Sequence, residues 1–295
     1  MTAVVEVRGL TKHYGDVIGI EDLNIEINAG EVIGFLGPNG AGKSTTIRTL
    51  LGLISATSGS ATFLGEDALT GDPKLRKNIG YLPGAPTYYN QYKALDFLRL
   101  FANIRGVNCD DVIFDYATRL KLDLSKKIGE LSKGNRQKVA VIQAFMHKPQ
   151  ILFLDEPTSG LDPLVQIEFE KILDEAKARG AAVLLSSHVM SEVEHLADRV
   201  AIIHKGKLVV FEDIATLRAR TIRKVDLHFP VATDPSQFKS LASVTEVDVH
   251  GKRITCSVVG SEHELFKLAV ALGVENVRTH ETSLEDIFLA EIGRK

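Results

Sequence analysis

An α/β domain with a mixed-sheet core and a helical subdomain, followed by a small α+β domain of ferredoxin-like order, is the fold this 295-residue sequence predicts. Three observations predict it. A short apolar strand runs into a glycine-rich loop and then a helix near residues 31–51; two further apolar strands, near 151–156 and 182–185, end in polar residues; and beyond residue ~220 the texture changes to short alternating strands. The boundaries that follow are 1–219 for the first domain, with the helical subdomain at about 85–145, and 220–295 for the second.

The first unit justifies itself residue by residue. Glu31-Val32-Ile33-Gly34-Phe35-Leu36 reads as a buried strand, and an amphipathic helix begins at Thr46-Ile47-Arg48. Between them, Gly37-Pro38-Asn39-Gly40-Ala41-Gly42-Lys43-Ser44-Thr45 fits the phosphate-binding pattern G-x-x-x-x-G-K-[ST]. Glycines permit a tight turn that presents successive N–H groups to phosphate oxygens, and the helix adds the positive end of its dipole. Lys43 extends along the phosphates as a point charge, and the Ser44 hydroxyl suits Mg²⁺. A glycine-rich turn that binds nothing is the bland alternative, disfavoured by the flanking strand and helix. The expected nucleotide-contacting stretch therefore runs from Gly37 to Thr46.

The segment between that loop and residue 145 reads as mainly helical. Ala94-Leu95-Asp96-Phe97-Leu98-Arg99-Leu100-Phe101 spaces its apolar residues at i, i+3 and i+4. Ahead of it, Tyr88, Tyr89 and Tyr92 share one loop; they suit a protein interface or packing on their own helices equally well. Leu131-Ser132-Lys133-Gly134-Asn135-Arg136-Gln137 opens another helix, whose N-terminus favours anions. Ile151-Leu152-Phe153-Leu154-Asp155-Glu156 is a buried strand ending in two carboxylates at the sheet edge shared with the glycine loop. Asp155 suits the Mg²⁺ shell, and Glu156 suits activation of the water that attacks a γ-phosphate. After Ser159-Gly160-Leu161-Asp162 comes the strand Ala182-Val183-Leu184-Leu185, which places His188 at its carboxyl end.

These segments, in this order, resemble the nucleotide-binding subunit of ATP-binding cassette (ABC) transporters. The family's LSGGQ signature is matched by Leu131-Ser132-Lys133-Gly134-Asn135, its D-loop by Ser159-Gly160-Leu161-Asp162, its switch histidine by His188, and its adenine-stacking aromatic by Tyr14. The resemblance spans roughly residues 4–215 and implies a P-loop ABC ATPase domain. It implies that Lys43, Glu156 and His188 are catalytic, that Ser44 and Asp155 hold Mg²⁺, and that ATP contacts extend to Tyr14, Ser132, Gly134, Asn135 and Asp162. Tyr14 reads equally as a half-buried edge-strand aromatic, and His188 as a solvated strand-end residue. A head-to-tail dimer, of two copies or of this chain with a paralogue, is also implied, each ATP lying between one phosphate loop and the other signature helix.

The chain departs from the family pattern at three positions. Gly84 stands where a glutamine usually reaches Mg²⁺ and the catalytic water, and Lys133 and Asn135 replace glycine and glutamine in the signature. The run Leu-Ser-Lys-Gly-Asn-Arg-Gln looks like the single-cassette ATPases of bacterial and archaeal export systems. The implied function is ATP hydrolysis that energises a separately encoded permease. A soluble cassette ATPase acting on ribosomes or DNA is the alternative; it fits less well, because there is one phosphate loop and only 89 residues, without sustained heptads, separate Lys43 from Ser132.

Composition agrees. No apolar run approaches the ~20 residues that span a bilayer, and the N-terminus has no basic or long apolar stretch of the secretory kind. The expected location is the cytoplasmic face of a membrane, peripherally bound. A net charge of −3, with bases scattered among acids, leaves no footprint for nucleic acid. Cys109 and Cys256 fall in no metal or redox spacing and read as reduced structural thiols.

Beyond residue 220 the expected order is strand 225–229, helix 235–241, strands 246–250 and 253–259 around Gly251-Lys252, helix 262–272, strand 276–280 and a terminal helix over 284–292. That βαββαβ order suggests a ferredoxin-like unit. His228, His250, His263 and His280 lack metal-ligand spacing.

Overall fold

The computed structural model describes residues 3–220 and 223–280; the helix expected over 284–292 lies outside them. The chain divides into two compact units, Met1–Phe211 and Glu212–Lys295.

The first unit opens with the antiparallel pair β1 (Ala3–Tyr14) and β2 (Val17–Asn28), in which Val5 faces Ile27 and Val7 faces Ile25. There follow β3 (Val32–Leu36), α1 (Lys43–Leu50), β4 (Ser58–Phe63), β5 (Glu66–Asp67), α2 (Pro73–Arg76) and β6 (Ile79–Leu82). A helical stretch comes next: α3 (Ala94–Arg105), α4 (Asp110–Arg119) and α5 (Lys133–Phe145). The unit closes with β7 (Ile151–Asp155), α6 (Pro163–Ala178), β8 (Ala182–Ser187), α7 (Met190–Leu196), β9 (Arg199–His204) and β10 (Lys207–Asp213).

Two sheets result. One is four-stranded, in the order β2-β1-β4-β5; the other is six-stranded, in the order β10-β9-β3-β8-β7-β6. In the second, β9, β3, β8, β7 and β6 run parallel. Every residue of β3, β7 and β8 is buried, as expected of parallel strands covered on both faces. The sheets share a core in which the rings of Phe63 and Phe153 sit 5.5 Å apart. Register decides what that core positions. Leu36 pairs with Ser187, and Asp155 pairs with Ser186, so β3, β7 and β8 end at one common edge.

The second unit contains α8 (Ile214–Arg220), β11 (Arg223–His228), α9 (Ser236–Lys239), β12 (Val244–His250), β13 (Arg253–Val258), α10 (His263–Ala271) and β14 (Asn276–His280). Its sheet is antiparallel throughout, in the order β12-β13-β11-β14, which is the ferredoxin-like arrangement of a βαββαβ chain. Val225, Leu227, Phe238, Ile254, Cys256 and Leu265 form its core.

Candidate functional site

The glycine loop leaves β3 and enters α1 at Lys43. Gly42 has a φ of 115°, which L side chains rarely adopt, and a Cβ there would meet the Gly19 carbonyl at 2.4 Å. Gly37 is equally confined, since its Cβ would lie 2.4 Å from the Ile203 carbonyl. The loop therefore presses its backbone against the neighbouring strand ends and leaves its open side to a ligand.

Lys43 is buried and arches over that loop, its Nζ donating to the Gly37 carbonyl at 2.5 Å and the Pro38 carbonyl at 3.2 Å. Desolvation lowers its pKa, against the opposing pull of Glu156 and Asp155. An arriving phosphate offers this buried ammonium a stronger partner than either carbonyl.

One residue on, Ser44 Oγ donates to Asp155 Oδ2 at 2.8 Å, and Ser186 Oγ donates to Asp155 Oδ1. This is a hard-oxygen donor set suited to Mg²⁺, and among the described residues no group of three or more His, Cys, Asp or Glu forms a self-sufficient metal cage. A hydroxyl and a carboxylate beside a phosphate loop fit an ion that completes its shell with nucleotide oxygens and water.

Glu156 sits at a φ of 51°, a strained left-handed conformation for a non-glycine residue. Its N–H donates to the Ser186 carbonyl at 2.9 Å. The Gln137 amide, reaching in from α5, donates to the Glu156 carbonyl at 3.4 Å and to the Pro157 carbonyl at 2.9 Å. Thus pinned, the Glu156 carboxylate meets His188 Nδ1 at 2.9 Å. With the proton on Nδ1, the histidine donates to the carboxylate and leaves Nε2 free.

The cleft around these groups has a volume of about 450 Å³ and is lined by the phosphate loop, Tyr14, Ile18, Arg48, Gly84, Asp155 and Glu156. Tyr14 borders the cleft and is 49% exposed, with Lys12 Nζ over its ring, 5.0 Å from the centroid. Gly84 lies against the metal-side carboxylate: a Cβ there would be 3.3 Å from Asp155 Oδ2.

Ser132, Gly134, Asn135 and Asp162 do not line this cleft, and His188, Gly37, Pro38, Ala41 and Thr46 also fall outside its immediate lining. Ser132 caps α5 by accepting the Asn135 N–H at 3.3 Å, and Asp162 caps α6 by accepting the Val165 N–H at 3.1 Å. Gly134 packs on the neighbouring loop, where a Cβ would meet the Gly160 carbonyl at 2.6 Å. Asn135 is likewise outside the cleft lining. Thr46, expected among the nucleotide contacts, is fully buried with its hydroxyl on the Gly42 carbonyl at 2.9 Å, because the first turn of α1 offers that acceptor before any ligand does. Lys133 lays its aliphatic stem beside Gly160.

Sequence reading passed over Gln137, Ser186 and Arg48. Gln137 and Arg48 look like ordinary polar residues of helix surfaces, and Ser186 like the tail of a strand; the fold buries Gln137 and Ser186, while Arg48 stays exposed and borders the cleft.

Residues 20–159 match the family model described as ABC transporter. Over 306 aligned residues the chain is 34% identical to the bacitracin transport ATP-binding protein BcrA of Bacillus licheniformis, covering 99% of this chain and 98% of that one. It is 31% identical to a fluoroquinolones export ATP-binding protein of Mycobacterium tuberculosis over 301 residues, with 100% of this chain and 95% of the relative covered. Among solved structures, an ATP-binding subunit of an ABC transporter superposes with a TM-score of 0.70 at 31% identity, over 73% of this chain and 92% of that chain.

Proposed function

The chain belongs to the ABC transporter family as an ATP-hydrolysing, ATP-binding protein, and from that premise we propose that it energises export through a membrane permease carried on a separate polypeptide. Among the described residues no helix is long and apolar enough to cross a membrane. One relative is a bacitracin transport protein and the other a fluoroquinolones export protein; the second supports the outward direction.

The observation that carries the catalytic part is the cluster at one sheet edge: Lys43, Ser44, Asp155 and Glu156 line a single cleft, and His188 bonds to Glu156 from beside it. Lys43 and the loop N–H groups bind the phosphates. Ser44 and Asp155 hold Mg²⁺, which when bound neutralises developing charge on the phosphate oxygens. Glu156 takes a proton from the attacking water, and His188, bonded to it through Nδ1, orients that carboxylate beside the γ-phosphate. Tyr14 stacks on the base.

Ser132, Gly134 and Asn135 stand at the exposed start of α5, outside their own cleft. They reach ATP only when a second cassette turns its phosphate loop toward them. This supports the head-to-tail dimer, with ATP closing the interface and hydrolysis releasing it. Asp162, an N-cap at the next loop, serves the same face.

For the permease, the support is an apolar groove of about 630 Å³ bounded by Tyr81, Pro86, Tyr88, Phe97, Phe101 and Ile104. Tyr88 shapes it from within, its hydroxyl donating to the Arg136 carbonyl at 2.6 Å. This position beside the helical subdomain suits a short helix presented by the membrane partner. The chain thereby works at the cytoplasmic face without entering the bilayer.

Affinity purification of the tagged chain from detergent-solubilised membranes tests the proposal. A stoichiometric polytopic membrane protein is expected, and Ile104→Glu in the groove should release it. Recovery of ribosomes or DNA-binding proteins instead would transfer the chain to the soluble alternative.

A further inference from the structure

Glu192, the third residue of α7, lies outside the cleft lining, yet its carboxylate holds both segments that carry the reacting side chains. It accepts the hydroxyl of Thr158, two residues beyond Glu156, and through its other oxygen the hydroxyl of Ser187 at 2.8 Å, immediately before His188. Both hydroxyls are withdrawn from water: Thr158 is 6% and Ser187 2% exposed. Ser187 also accepts the Val189 N–H at 2.9 Å, so the chain on either side of His188 is tied to the same point.

The anchor is itself fixed. Val193, next to Glu192, is fully buried against β3 at Gly34, where a Cβ would fall 2.0 Å from Val193 Cγ1. Only glycine lets α7 seat so closely on the strand that carries the phosphate loop. Glu192 is thus held in register with the phosphate loop, and through two hydroxyls it holds the segments that carry Glu156 and His188.

We propose that Glu192 is a positioning residue for the hydrolytic step, which sets the Glu156–His188 pair at its working distance from the phosphate loop. The proposal rests on the reading of Glu156 as the general base. Without the carboxylate, two buried hydroxyls lose their acceptor, and the segments bearing the pair relax independently. A displacement near 1 Å at a general base lowers turnover by up to about a hundredfold. Nucleotide affinity, supplied by the loop and α1, is untouched.

Steady-state ATP hydrolysis and nucleotide binding, measured on the 295-residue chain with its co-purified membrane partner, decide the matter. Glu192→Ala is expected to lower kcat by about tenfold or more, with KM and nucleotide Kd within about twofold of the unaltered protein. Glu192→Gln should restore much of that loss, since its amide oxygen accepts one hydroxyl and its NH₂ donates to the other. Thr158→Val, close to isosteric, removes one tether without emptying the site and should lower kcat several-fold. Turnover within about twofold of normal in both Glu192→Ala and Thr158→Val would overturn the proposal, as would a loss of nucleotide affinity matching the loss of kcat. Glu156→Gln, assayed alongside, separates the two readings. If it retains turnover the general-base assignment falls, and the proposal with it. If it abolishes turnover while Glu192→Ala and Thr158→Val both stay within about twofold of normal, only the proposal falls.

Discussion

Lys43 and Glu156 face one cleft but are proposed to serve different steps, and single substitutions should separate them. Lys43→Ala removes the charge that meets the phosphates and should weaken ATP binding by at least about tenfold, read by calorimetry. Glu156→Gln should keep binding, reduce turnover by about a hundredfold or more and accumulate an ATP-bound dimer on gel filtration. Gly84 gives a third test. Its Cα stands where a side chain would touch Asp155, since a Cβ would lie 3.3 Å from Oδ2, so a glutamine introduced there has the metal-side carboxylate within reach. Gly84→Gln should lower the Mg²⁺ concentration required for ATP binding and for hydrolysis; unchanged titrations in both assays would remove any role for this position. The phosphate loop, Asp155, Glu156 and His188 were legible from sequence because their chemistry is tied to motif spacing. Gln137 and Glu192 were not, because the carbonyl Gln137 meets lies 20 residues away and the Thr158 hydroxyl that makes Glu192 a bridge lies 34 residues away, and no local pattern encodes such pairings.

Elements fixed by hydrophobic runs were easier to read than their contacts. The buried strands and the helix from Ser132 emerge from periodicity, and βαββαβ emerges from alternation; the ends shift by a residue or two, as capping settles them. The seat of α7 on β3 is different in kind. Nothing about Gly34 in the sequence says that it makes room for Val193, yet Gly34→Ala would force a methyl into a space already occupied and should destabilise the protein by about 1–3 kcal/mol, visible in chemical denaturation. His147, just past α5, supplies a pH signature for the packing of that helix on β6. Its Nε2–H donates to the Ile79 carbonyl at 3.1 Å, while Nδ1 is buried without a partner among the described residues. Burial, reinforced by the charge of Arg105, pushes its pKa down to about 4. The unfolded chain takes up this proton near the ordinary 6.5, whereas the folded protein resists it to about 4. The contribution is therefore complete above 6.5 and is lost as pH falls through that window, by up to about 3 kcal/mol. His147→Gln, which retains a donor for Ile79, should flatten the fall in Tm between pH 7 and pH 5.

At the scale of the molecule, the second unit has a core of its own, and Phe238 is its fully buried centre, packed 6.0 Å from the Phe229 ring. Phe238→Ala should cost that unit about 3–5 kcal/mol. Scanning calorimetry should then show one transition moving while the nucleotide-stabilised one stays. A uniform shift of a single transition would mean that the units unfold together. The sequence by itself determined the class of fold, the order of the motifs and the identity of the groups proposed to meet a nucleotide, because glycine conformations, apolar periodicity and charged strand ends are local properties of the chain. Only the tertiary structure decided that Asp155 shares its oxygens between Ser44 and Ser186, that Glu156 is pinned by a helix glutamine, that Ser132 and Asp162 are helix caps outside their own cleft, and that Glu192 joins the segments carrying Glu156 and His188. Those outcomes depend on strand register and on how closely α7 approaches β3. Both are set by the packing of side chains far apart in sequence.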